Sequence, residues 1–282
     1  MGVLVIGVAS GSSCSKSSSE QAQQGRSIVC DPFNGKGTLT AENGIIGSIY
    51  QLDPATADSG TVASVQANGK LLDATIVLSQ INLPTITFNQ GFTTVDGRVV
   101  RLDGGVVLRD YFSLHLEGQI QLNGLADGVY QFGIIGDDGA ILQIDDGSGF
   151  RVVVNGDGVH KTRLDIGTSA DGVTLTSTSK IPFKLDYFQG PAQHLALTLI
   201  WRKVAEVGQV VDVDYPATAY DDPIAGPAVA DNNVFFNPPA PTPAESLANA
   251  TADYTAIFTR GWSIPAAGSF VLPANVTSNP CL

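Results

Sequence analysis

The sequence predicts an all-β fold with a Pro-rich C-terminal extension. Three observations predict it. Apolar and polar residues alternate through several short runs, the period of a half-buried strand. Gly 31 and Pro 15 stand against Met 1, a balance that favours many turns over long helices. No stretch carries the 3.6-residue apolar periodicity of a helix of normal length; Ala244 to Ala250 has room for one or two turns.

Along the chain, residues 1–13 carry a short apolar run ending at Ala9 and then Ser10-Gly-Ser-Ser13, directly before Cys14. This arrangement resembles a bacterial lipoprotein signal, in which the cysteine is lipidated and becomes the mature N-terminus. No Lys or Arg precedes the run, and Gly11 stands where that signal has an aliphatic residue; a cleaved secretion signal and an ordinary N-terminus stay open. The run is too short to cross a bilayer as a mature helix. Residues 14–28 are rich in Ser and Gln and read as a flexible tether.

Residues 29–207 read as one β-domain. Weaker strand candidates are Leu72 to Leu83 and Ile86 to Phe92. The clear ones place Phe112, Leu114 and Leu116 on one face, then Tyr130, Phe132 and Ile134, then Ile181, Phe183, Leu185 and Tyr187, then Leu195, Leu197, Leu199 and Trp201. The last two, joined through Gly190-Pro191, predict a hairpin. Trp201 ends an alternating run and is expected in the core. Residues 208–282 form an extension that either wraps the domain or folds as a small β-subdomain. It contains Asp212, Asp214, Asp221 and Asp222, the run Pro238-Pro-Ala-Pro-Thr-Pro243, and strand candidates at Tyr254 to Phe258 and Gly268 to Leu272. The Asp cluster reads as a solvated acidic loop or a second cation site.

Charge and cysteines narrow the function classes. A formal net charge of −12 repels nucleic acid and anionic lipid, so neither is an expected partner and any membrane contact would run through the lipid anchor. With Cys14 set aside, Cys30 and Cys281 remain as an even pair, and an oxidising compartment makes a disulfide between them the economical expectation. Closing a loop of 251 residues is worth roughly 5 kcal/mol in the chain-entropy model.

The chemistry concentrates at Gly136-Asp137-Asp138-Gly139, between the strand that ends at Gly136 and a new one from Ile141. Neighbours in a strand point to opposite faces. Two adjacent carboxylates serve one ion only if the backbone turns sharply between them, as a cis peptide would allow. Calcium takes 6–8 oxygen ligands, so two carboxylates leave positions for carbonyls, amides and sugar hydroxyls. An ordinary acidic turn accounts for the same four residues, and at this level both readings stand.

The surroundings carry a resemblance. Phe112-Ser-Leu-His-Leu-Glu-Gly-Gln-Ile120, Gly128-Val-Tyr-Gln-Phe132, Asp137-Asp-Gly139, Leu142-Gln-Ile-Asp145, Val152-Val-Val-Asn-Gly-Asp-Gly-Val-His160, Leu185-Asp-Tyr-Phe-Gln-Gly190 and Leu195-Ala-Leu-Thr-Leu-Ile-Trp201 follow one another in the order of the protective-antigen fourteen-kilodalton domain family. Gly44-Ile-Ile-Gly-Ser-Ile-Tyr50 resembles its start. That family includes fungal flocculin and epithelial adhesins and modules of bacterial glycosidases. The resemblance implies an antiparallel β-sandwich or barrel in which Asp137 and Asp138, joined by a cis peptide, hold Ca2+ that contacts a sugar directly. Gly139 then belongs to the ligand-binding corner, and Gln189 and Asn155 are further candidate calcium ligands. Asp145-Asp-Gly-Ser-Gly149 is longer than the family's turn, and residues 172–179 depart from its pattern; both bear on the rim loops and so on the sugar.

The function this implies is a calcium-dependent carbohydrate-binding or adhesion module, not an enzyme, exported to the outer membrane as a lipoprotein, to the cell surface or to the periplasm, with a surface or envelope polysaccharide as partner. The alternative is a non-lectin structural or interaction protein of the envelope, with a protein partner. A polysaccharide hydrolase would need an acid–base pair such as Glu117 with Asp138. His115, His160 and His194 are scattered and expected in local hydrogen bonds. No nucleophile-elbow, zinc-protease or phosphate-loop pattern occurs.

Overall fold

The computed structural model describes residues 26–33, 39–58, 60–167, 171–191, 194–204 and 235–282. Cys14, most of the 14–28 tether and the cluster Asp212, Asp214, Asp221 and Asp222 lie outside the described residues. Two sheets form a sandwich. The larger has eight strands and carries the order β1 (Ser27–Cys30), β3 (Lys70–Leu78), β2 (Ile45–Gln51), β5 (Phe112–Ile120), β11 (Ile181–Gln189), β7 (Ala140–Asp145) and β8 (Phe150–Gly156), with β13 (Phe270–Val271) also on β5. The five-stranded sheet runs β10 (Val173–Leu175), β6 (Gly128–Asp137), β12 (Leu195–Val204) and β4 (Asn82–Ile86), with β9 (Arg163–Ile166) on β6. Pairing is antiparallel except for β1 with β3. Among the described residues no ladder joins the two sheets. The expected barrel closure is therefore absent there, and the architecture is the sandwich.

The alternating residues do what their period demands. Phe112, Leu114 and Leu116 on β5, Phe132 and Ile134 on β6, Phe183, Leu185 and Tyr187 on β11 and Leu195 to Trp201 on β12 meet in one core. Trp201 lies there beside Tyr130 and Phe132.

Three expectations need correction. The runs at 181–187 and 195–201 are not a hairpin. Strand β11 pairs with β5 and β7, whereas β12 pairs with β6 and β4 in the opposite sheet. The two strands thus belong to different sheets, and both bury one face in the same core, which is why their patterns match. Tyr254 to Phe258 is not a strand. It belongs to helix α4 (Ala252–Thr259), capped by Thr251, whose hydroxyl accepts from the Tyr254 N–H. Tyr254, Ile257 and Phe258, at helical spacing, pack with Phe235, Phe236 and Trp262 against Ile135 and Ile200 of the smaller sheet. Nor is Ile86 to Phe92 a strand beyond Ile86, where β4 ends.

Two helices precede β3. In α1 (Pro54–Ala57) Asp53 caps the N-terminus and Pro54 opens the first turn. In α2 (Val62–Asn68) Thr61 and Ser64 form a reciprocal capping box. Leu52, Ala57, Val62 and Val65 cover Phe188 of β11. Helix α3 (Pro243–Ala248) answers to the short turn expected at 244–250. The chain returns to its start: Cys30 and Cys281 are bonded, with Cα atoms 5.9 Å apart, and Asn279 donates to the carbonyls of Thr40 and Asn43.

Candidate functional site

Strand β6 ends in the two carboxylates, and β7 starts two residues later. The Asp137–Asp138 peptide bond is cis. Gly139 follows because nothing larger fits: a Cβ there would run into the Phe188 ring and the backbone of Gly158. Both carboxylates are almost fully buried, Asp137 at 3% and Asp138 at 5% exposure.

Their partners come from two distant segments, residues 160–162 and Gly190. The Thr162 hydroxyl donates to Asp137 Oδ2 at 3.0 Å. The His160 N–H donates to Asp138 Oδ1 at 3.0 Å, and the Gly190 N–H to Asp138 Oδ2 at 2.8 Å. The Tyr187 hydroxyl lies 2.5 Å from the Asp137 carbonyl and 2.7 Å from Gln189 Oε1, so these two oxygens share one proton donor. Gln189 Nε2 donates to the His194 carbonyl, which fixes the direction of its amide. Burial and then the neighbouring Asp138 charge push the Asp137 carboxyl well above the usual carboxylate range. Burial also raises Asp138, against the Gly190 and His160 N–H donors that lower it.

Oxygen is the chemistry of this donor set: two carboxylates, the Gln189 amide oxygen and a main-chain carbonyl. That fits a hard cation such as Ca2+ better than a nitrogen- or sulfur-seeking metal. The nearby imidazole of His160 is taken up by the Lys161 and Gly156 carbonyls. Each Asp138 oxygen accepts one N–H and has a second lone pair, so those bonds do not preclude ligation. Among the described residues no group of three or more His, Cys, Asp or Glu gathers as a metal site. A cation here would therefore draw its remaining ligands from neutral oxygens.

The structure brings Gln189 to the pair through Tyr187. Asn155 is different: it is exposed on β8, and its side-chain oxygen accepts from the Asp157 N–H in a local turn. Glu117 stands mid-strand on β5, opposite Lys184, five positions before the Gln189 end of β11. At about 3.3 Å per residue it lies roughly 15–20 Å along the sheet from the rim, beyond the about 5–9.5 Å at which two carboxyls act on one glycosidic bond. The pairing of Glu117 with Asp138 is thereby lost.

Beside the pair opens a cleft of ≈ 380 Å³, lined by Thr87, Phe88, Asn89, Arg109, Asp110, Gln189, His194 and Leu195. Its segment 109–111 reaches the rim directly, since the Tyr111 N–H donates to the Gly190 carbonyl. Sequence reading missed Thr162, Tyr187 and this segment. Only the short distance from Tyr187 to Gln189 was visible in the chain; the other two arrive by topology.

No family model matches the chain, and no curated protein matches it. Several solved structures are similar at low identity. The PA14 domain of the antifreeze protein MpAFP shares 15% identity over 61% of this chain and 88% of that one, with a TM-score of 0.41. The PA14 sugar-binding domain of an RTX adhesin shares 19% over 57% and 90%, at 0.38. The A domain of Epithelial Adhesin 6 from Candida glabrata, solved with Galβ1-3GlcNAc, shares 16% over 64% and 87%, at 0.37. An anti-sigma factor domain-containing protein shares 15%, and the match spans 58% of this chain but 43% of that one, at 0.38.

Proposed function

We propose that this chain is a non-catalytic, calcium-dependent carbohydrate-binding or adhesion protein, exported to a cell surface or periplasm. The observation that carries it is the buried Asp137–Asp138 pair, set near Gln189, which itself lines an open cleft. Two adjacent buried carboxylates repel each other, and a divalent cation would turn that cost into binding energy. Sugar hydroxyls in the cleft could complete the coordination. The Cys30–Cys281 bond suits an oxidising compartment.

Melting curves with calcium and with chelator test the metal. Calcium should raise Tm of the wild-type protein, and Asp137→Asn and Asp138→Asn should abolish the rise. Equal wild-type melting in both conditions removes calcium from the reading. A second reading, a non-lectin interaction protein of the cell envelope, is favoured by the hydrogen bonds from Thr162, His160 and Gly190, which suffice for a purely structural corner. A glycan array that stays blank in calcium, with a protein co-purifying from envelope extracts, would select it.

A further inference from the structure

We infer that the cleft beside the carboxylate pair recognises an acidic sugar, one bearing a carboxylate as well as hydroxyls, and that Arg109 is the residue that selects it. The inference rests on the calcium-dependent reading above and adds a ligand class to it.

The floor of the cleft is apolar and buried, made by Phe88 and Leu195 at 4% and 1% exposure. Its walls are polar. That combination, an apolar floor with a few convergent polar groups, is the usual build of a small-molecule site, and ≈ 380 Å³ is within the usual range for one.

Arg109 is the telling group. Arg98 and Arg151 hold carboxylates, Arg163 holds Asp165, Arg101 holds a main-chain carbonyl and Arg202 holds the Gln131 amide. Arg109 has no hydrogen bond or ion pair among the described residues, although the chain carries 27 acidic residues against 15 basic ones. Its next neighbour Asp110, also lining the cleft, is not within ion-pair distance of it. Both residues line the same cavity, and neither side chain has a hydrogen bond or ion pair among the described residues.

The guanidinium matches a carboxylate in two parallel hydrogen bonds. Asp110 can only accept, so it suits hydroxyl donors and opposes a second acid group. A ligand that satisfies both carries one carboxylate and several hydroxyls, the pattern of a hexuronic acid. A calcium ion would balance the charges of Asp137 and Asp138, and Arg109 is the arginine that lines the cleft.

The test compares hexuronic-acid oligosaccharides with their methyl esters, which keep the shape and remove the charge. Binding is measured by calorimetry at buffered free calcium, on the full chain. The acid should bind wild type roughly tenfold to a hundredfold more tightly than its ester, the size of a lost charge-assisted hydrogen bond. Arg109→Gln should erase the preference, so that acid and ester bind alike, with Tm unchanged. Arg109→Lys, which keeps charge without the fork, should restore part of it. Equal binding of acid and ester, or a preference that survives Arg109→Gln, overturns the inference and leaves the calcium-dependent reading intact. Failure of every glycan, together with no calcium effect on melting, overturns both.

Discussion

Two groups of carboxylates, one on the larger sheet and one at the end of β6 in the smaller sheet, are built oppositely. On the outer face, His115 Nδ1 lies 2.5 Å from Asp186 Oδ1 and its Nε2 3.3 Å from Glu117 Oε1. Gln66 of α2 donates to Asp186 at 2.8 Å, and Lys184 lies 3.5 Å from Glu117. Hydrogen bonds to Asp186 and Glu117 push the imidazole up to about 9, and the same His115 lowers Glu117. Acid and base meet inside that cluster. At the rim the sequence sets two acids side by side, and burial drives both of their carboxyls upward. The outer cluster balances its charges internally; the rim sets two acids together in a buried place.

The largest expected effect separates the two. At a hundredfold excess over its dissociation constant, a ligand that binds only the native state stabilises by about 2.7 kcal/mol. Asp137→Asn should lose all of that. Asp186→Asn should keep the calcium response in full while lowering stability by about 1–3 kcal/mol with or without calcium, since it takes the charged partner from His115. Denaturant melts at two calcium concentrations read both outcomes. A calcium response that disappears in Asp186→Asn would mean that the clusters are one site.

How much of this the chain declared depends on how local each feature is. The strands at Phe112, Tyr130, Ile181 and Leu195 were legible because one buried face writes a period of two. The rim pair was legible as a strand end between glycines, and the disulfide partners followed from parity once Cys14 was set aside. The sheet that each strand joins was not legible: β11 and β12 bury the same kinds of residue whether they pair or face each other. Helix α4 was readable in principle, since Tyr254, Ile257 and Phe258 follow Thr251 at helical spacing, but its short apolar run also fits a strand. Asp53-Pro54 and Thr61-x-x-Ser64 were helix starts that were overlooked. The site itself came half from afar. Thr162 and Arg109 lie 25 and 28 positions from the pair, and only the sandwich brings them there.

Protonation offers a smaller test of the outer cluster. The folded His115 value of about 9 exceeds the ordinary 6.5. A raised imidazole stabilises fully below the unfolded value and loses that contribution as pH rises through the folded one. Stability should therefore decline between about pH 6.5 and 9, and His115→Gln should flatten the decline. A wild-type profile that stays level across that window would show that the imidazole gains nothing from its carboxylates.

The smallest effect should come from Lys184, at the exposed edge of the same cluster. Its ammonium lies 3.5 Å from Glu117, with the two side chains 33% and 43% exposed, and 4.6 Å from the Phe150 ring centre. Solvent screens such a pair, so it is worth less than about 1 kcal/mol, and the ring contact adds no more than that at an exposed position. Lys184→Met keeps the stem that packs on the sheet and removes only the charge. The loss should shrink further in high salt, because a Debye length of about 3 Å at 1 M leaves little of a surface attraction. The Asp186→Asn loss should persist there, because Asp186 is buried at 7% exposure. Measured together in low and high salt, the two variants show whether the outer cluster is held by its buried half, as the geometry requires, or by its surface charges.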